Sequence, residues 1–160
     1  MEKYTQKDVD RAMEIMDDGH YGQMRMDGGR YREHPVRVMQ SLEIRGYSRA
    51  TLITALLHDV AEDCPSWPLE RIRKEGGFGD DVMHPLELMT KQKGQDGNYY
   101  ENLYIPRIAT HPRSRAVKRY DLVDNMDLTS IETPSLKQIV NIEKYGRALV
   151  YLSRFPQPRV

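Results

Sequence analysis

Thr51-Leu52-Ile53-Thr54-Ala55-Leu56-Leu57-His58-Asp59-Val60-Ala61-Glu62-Asp63 decides the fold class. Its first half is apolar around most of the helical wheel, the mark of a helix buried on several sides. Ser48 can cap it, so the pattern predicts a helix from about Arg49 to Asp63. Four ionisable residues then arrive together. His58 and Glu62 are four apart, as are Asp59 and Asp63, giving two adjacent ridges on one broad face. Burying Asp59, Glu62, Asp63 and an imidazole side by side is costly without a compensating cation. His58 and Asp59 lie about 100° apart around a helix, so both can converge on a divalent ion beside that edge. The plainer reading is a helix end turning toward solvent, which Glu62-Asp63-Cys64-Pro65 would suit; the apolar run before the pair weighs against it.

Working outward, helical periodicity continues in both directions. Val9, Ala12, Met13, Ile15 and Met16 predict an amphipathic first helix stopping near Asp18-Gly19. Gly28-Gly29 marks a loop, and His34-Pro35 opens a second helix with proline in its first turn. Beyond the central segment, helices are expected near Leu69–Gly76, Asp80–Thr90, Tyr99–Thr110 (despite Pro106), Arg113–Leu128 and Ser135–Leu152, with a polar stretch over Lys91–Asn98. No alternating strand pattern or internal repeat stands out, so the expectation is an all-α helical bundle in one domain, residues 1–155, with 156–160 as a tail.

Two further segments carry candidate ligands. His34 stands where Pro35 fixes the chain direction. Asp121 and Asp124 both fall on the Arg113–Leu128 helix, with Asn125 one turn beyond Asp121, and the pattern leaves the choice between the two aspartates open. Lys91, Lys93, Arg107, Arg113 and Lys118 are the cations available for phosphates, though each alone reads more readily as a solvated charge. Tyr99, Tyr100 and Tyr104 could line a pocket or simply pack.

Composition excludes several classes. The 160 residues hold 24 basic and 24 acidic side chains and a single cysteine, Cys64. A balanced charge with no basic stripe argues against nucleic acid as partner. No run approaches the roughly 18 apolar residues of a membrane span, and the charged start lacks a signal-peptide pattern. A lone cysteine gives no internal disulfide. A cytoplasmic protein is expected.

His20-Tyr21-Gly22-Gln23-Met24-Arg25, followed by Gly29, Tyr31 and His34-Pro35, then Leu57-His58-Asp59 with Glu62-Asp63, then Val117-Lys118-Arg119-Tyr120-Asp121 with Asn125, resemble in order three motifs of the HD-domain superfamily. Within it the chain is most similar to the small alarmone hydrolases and the hydrolase half of RelA/SpoT enzymes. The resemblance implies a helical bundle around one divalent metal, commonly manganese, held by His34, His58, Asp59 and Asp121, and so selects Asp121 over Asp124. It implies that Glu62 and Asp63 handle protons, that Arg25 packs on a guanine base, that Asn125 holds the sugar and that Tyr145 lies near the base. The implied reaction removes the 3′-diphosphate of guanosine 3′,5′-polyphosphates (ppGpp, pppGpp), leaving GDP or GTP and pyrophosphate. Met26-Asp27, Arg119-Tyr120 and Cys64 depart from the usual pattern. An acid at 27 would accept hydrogen bonds from a base but repel phosphate, which keeps open another nucleotide substrate, a nucleoside monophosphate or an adenine-based alarmone. A regulator that has lost catalysis is disfavoured by the full set of ligands and carboxylates.

Overall fold

All eight residues from Ala50 to Leu57 are buried, and four other helices pack directly against them. The computed structural model describes residues 2–25, 28–91, 99–129 and 131–157. Helix α1 (Gln6–Gly19) is closed at its start by a Thr5–Asp8 capping box. Helix α2 (Glu33–Glu43) begins one residue ahead of His34-Pro35. The central segment is α3 (Arg49–Leu57) and α4 (Val60–Asp63), followed by α5 (Leu69–Gly76) and α6 (Asp80–Met89). A π-helical turn over Tyr100–Tyr104 leads into α7 (Ile105–Ala109), then α8 (Pro112–Met126) and α9 (Leu136–Leu152). Among the described residues the only β pairing is an isolated bridge between Met24 and Arg30.

Helix α3 packs against α1, α2, α6 and α8, which is what an element apolar on all sides requires. Ile53, Ala55, Leu56 and Leu57 have no solvent exposure and sit in one core with Ile15, Met16, Leu42, Val82 and Val117. Truncating Leu56 to Ala removes fully buried methyl groups. We expect a loss of about 2–5 kcal/mol, read as a lower denaturation midpoint at unchanged m-value.

Two features differ from the expected helices, and a third helix keeps its expected course past a proline, each for a local reason. The predicted Arg49–Asp63 helix is broken: His58 Nδ1 donates to the Ala55 carbonyl at 2.7 Å, and Asp59 sits at φ −100°, ψ −12° as the start of α4. A side chain has taken the acceptor that a continuing ladder would use. The Tyr99–Thr110 helix opens as a π turn. Pro106 has no N–H for the usual four-residue bond, and the Ile105 N–H reaches back five residues to the Tyr100 carbonyl. Helix α6 stays continuous through Pro85, and the Asp81 carbonyl that Pro85 cannot serve accepts instead from the Arg113 guanidinium. At the C-terminus, Pro156 accepts from Arg115 at 3.1 Å, and the Gln157 amide donates to the Leu152 and Phe155 carbonyls. Residues 156–157 are thus tied down, while 158–160 lie outside the described residues, as do Met26, Asp27 and Lys93.

Candidate metal centre and nucleotide cleft

Four segments distant in sequence meet beside the break between α3 and α4. His34 comes from the first turn of α2, His58 and Asp59 from the break itself, and Asp121 from the middle of α8. One ligand atom each from His34, His58 and Asp121 lie within 4.8 Å of one another, all buried. Asp59 Oδ2 is 3.2 Å from His58 Nε2 and 3.7 Å from His34 Nε2. His34 Nε2 is 3.0 Å from Asp121 Oδ1, and His58 Nε2 is 3.5 Å from the same oxygen.

The outer contacts fix the tautomers. His34 Nδ1 donates to Asp124 Oδ2 at 2.6 Å, and His58 Nδ1 donates to the Ala55 carbonyl. Both rings therefore aim the Nε2 lone pair inward, as metal-binding histidines do when a carboxylate or carbonyl holds the other nitrogen. His58 Nε2 is buried and has no hydrogen-bond partner. A lone pair facing carboxylate oxygens repels them unless a cation lies between. Burial alone would push His58 down, yet Asp59 and Asp121 raise it well above the ordinary imidazole range. Asp121 is held well below the carboxylate range: Lys118 and the two histidines overcome the cost of its burial. The donor set of two imidazoles and two carboxylates suits a divalent cation of mixed nitrogen and oxygen preference.

A second layer orients these groups. Asp121 Oδ2 pairs with Lys118 at 2.6 Å, and Asn125 donates to Oδ1 at 2.5 Å. Asp124 does not join the cluster; it accepts from His34 and from a two-pronged Arg37 contact at 2.7 and 3.0 Å. Those bonds outweigh the penalty of burial and bring its pKa to about 2. Its share of stability is thus complete above about pH 4 and fades as the pH falls toward that lower value. Replacing Asp124 by Asn removes the charge that polarises His34. We expect metal affinity to drop roughly 10- to 100-fold, measurable by titration with Mn2+.

Glu62 and Asp63 do not extend a single helical face with His58 and Asp59, because the helix breaks between the pairs. Asp63 shares the Tyr31 hydroxyl with Asp59, at 3.1 and 2.8 Å. Its pKa is raised, by burial first and then by the charges of Asp59 and Glu62. Glu62 sits outward, bound to the Lys91 ammonium at 2.8 Å and to the Lys91 backbone N–H at 3.1 Å.

Arg25, Asn125 and Tyr145 line one cleft of about 240 Å³ with Tyr31, Gln138 and Asn141. Arg25 also stands 3.7 Å from Asp124, which links the cleft to the layer behind His34. Of the cations considered for phosphates, Lys118 and Lys91 adjoin the centre. Arg107 and Arg113 are structural, donating to the Leu88 and Thr90 carbonyls and to Thr51 Oγ1 and the Asp81 carbonyl. Tyr104 packs, its hydroxyl donating to the Met89 carbonyl at 2.5 Å. Sequence reasoning assigned no role to Tyr31 or Arg37. Tyr31 lies within the segment His20 to Pro35, and its ring stacks on His20 at 4.5 Å, a contact that spacing does not announce.

The HD domain family matches residues 12–98, more than half of the chain. The chain belongs to the HD-domain family. A probable GTP pyrophosphokinase of Mycobacterium leprae is 35% identical over 124 residues, covering 74% of this chain and 15% of that protein. A guanosine-3′,5′-bis(diphosphate) 3′-pyrophosphohydrolase of Spiroplasma citri is 30% identical over 144 residues, covering 85% of this chain and 19% of that protein. The chain thus spans less than a fifth of the length of these curated relatives. A solved structure described as a metazoan ortholog of SpoT that hydrolyzes ppGpp superposes with a TM-score of 0.79 at 23% identity, covering 98% of this chain and 91% of that one. At that identity the likeness is one of fold. Among the described residues no helix is long and apolar enough to cross a membrane.

Proposed function

We propose that the chain is a cytoplasmic metal-dependent phosphohydrolase that removes the 3′-diphosphate of guanosine 3′,5′-polyphosphates, releasing pyrophosphate. The observation that carries this reading is the inward-facing, partnerless Nε2 of His58, set among His34, Asp59 and Asp121. In this reading those four residues hold one divalent ion, Mn2+ by preference. A divalent cation there supplies Lewis acidity for transfer of a phosphoryl group to water.

The chain's own residues account for the remaining steps. Asp63, held beside Asp59 by Tyr31, takes the proton of the attacking water. Burial and the charges of Asp59 and Glu62 raise its proton affinity, which suits it to the role of base. The P–O3′ bond breaks, and the proton taken by Asp63 passes by way of the Glu62 carboxylate to the 3′-oxygen. Lys118, bound to Asp121, brings positive charge to the phosphoryl oxygens. Arg25, Asn125 and Tyr145 receive the nucleoside in the cleft they line, the guanidinium stacking on the base. The names of the Spiroplasma protein and of the solved neighbour support this substrate, and the match to the HD family supports hydrolysis over synthesis.

Incubating Mn2+-loaded protein with a nucleotide panel tests the reading. Pyrophosphate and GDP in equal amounts from guanosine 3′,5′-bis(diphosphate) are expected. Orthophosphate alone, or turnover only of a nucleoside monophosphate, would replace the proposed substrate.

A further inference from the structure

Beside the metal cluster runs a track of three tyrosine rings, of which Tyr145 also lines the nucleotide cleft. Tyr100 lies 5.6 Å from Tyr104 and 6.4 Å from Tyr145, centroid to centroid. Lysines lie along it. Lys91 and Lys118 each place Nζ 5.4 Å from the Tyr104 ring centroid. Lys144, on α9, places its Nζ 4.8 Å from the centre of Tyr100 and 5.0 Å from that of Tyr145.

The three ammonium groups are not equivalent. Lys91 has Glu62 and Lys118 has Asp121 as counter-ion. Lys144 has no carboxylate at ion-pair distance among the described residues. Glu101, the acid whose charge favours its protonated form, is itself bound to Arg147 at 2.7 Å. Lys144 is half-buried, and its pKa is lowered, by burial first and then by Lys91 and Lys118. Aromatic faces ease such a cation but offer no acceptor for its N–H groups. The second observation is independent of charge: the Tyr100 hydroxyl is buried and has no hydrogen-bond partner.

A buried donor without an acceptor and a partly buried cation without an anion are both unfavourable. One ligand class answers both, an anion with several oxygens. A single carboxylate would meet one ammonium. A diphosphate carries enough charge for Lys144 and for Lys118, whose partner Asp121 would be drawn to the metal. Tyr145 borders both the track and the nucleotide cleft.

We propose that Lys144 and Tyr100 form an anion subsite that takes the diphosphate of the substrate, on the side of the metal centre bordered by Lys118. This rests on the phosphohydrolase reading above for its substrate, while the subsite itself can be measured without turnover.

The test is calorimetric titration of inorganic pyrophosphate into Mn2+-loaded protein. Lys144→Met should weaken binding about tenfold and Tyr100→Phe about threefold, with Mn2+ affinity unchanged in both. Lys137→Met, an exposed lysine two turns earlier on α9, controls for the general field and should bind as the wild type does. Equal affinity of Lys144→Met and wild type overturns the subsite. So does an equal loss in Lys137→Met, or no pyrophosphate binding by the wild type. Failure of the hydrolase reading is seen separately, as no pyrophosphate released from guanosine 3′,5′-bis(diphosphate).

Discussion

Replacing Glu62 by Gln and Asp63 by Asn together is expected to lower kcat by about 10²- to 10⁴-fold while Mn2+ affinity falls far less than kcat, because neither side chain is a ligand and neither touches a ligand histidine as Asp124 does. Neither carboxylate belongs to the ligand cluster, and both amides keep the size of the side chains they replace. Asp63→Asn still offers an oxygen to the Tyr31 hydroxyl, and Glu62→Gln still offers one to Lys91. What disappears is the capacity to accept or return a proton. Steady-state kinetics beside a metal titration separate the two effects. Undiminished turnover would remove both residues from the proton path.

The second large effect belongs to His58. Its ring is buried, and one nitrogen is committed to the Ala55 carbonyl. His58→Ala removes the lone pair that faces Asp59 and Asp121, leaving two carboxylates with one imidazole. Mn2+ affinity should fall by more than about 100-fold, exceeding the loss typical of a supporting residue. Turnover at one equivalent of metal should fall with it and recover in part as Mn2+ is raised. A circular dichroism spectrum and thermal midpoint confirm that the variant is folded. Wild-type Mn2+ binding by this variant would place the ion elsewhere.

The fold class was legible because α3 is apolar on all sides, and such a helix needs a bundle around it. Ser48 read as a cap, and the loop after α1, gave element starts within a residue or two. The break at His58-Asp59 was not legible, because it depends on an imidazole competing for a backbone carbonyl. Nor was the π turn at Tyr100–Tyr104, although Pro106 hinted at a disturbance. In the site, His58 and Asp59 could be found from the helix wheel, but His34 and Asp121 came from motif resemblance. Asp124 shows why: it lies one turn from Asp121 on α8, yet faces the opposite nitrogen of His34. Spacing alone cannot tell which aspartate meets which side of one ring. Lys144 escaped for a similar reason, since one of its two ring neighbours, Tyr100, stands more than forty residues earlier.

The central claim is that His34 and His58 present two nitrogens to one metal ion. Pulsed electron paramagnetic resonance of the protein titrated with Mn2+ measures this directly. One tightly bound ion per chain is predicted, with nitrogen couplings from two imidazoles that diminish in His58→Ala. An ion with oxygen ligands only, or a spectrum unchanged by that substitution, would contradict it.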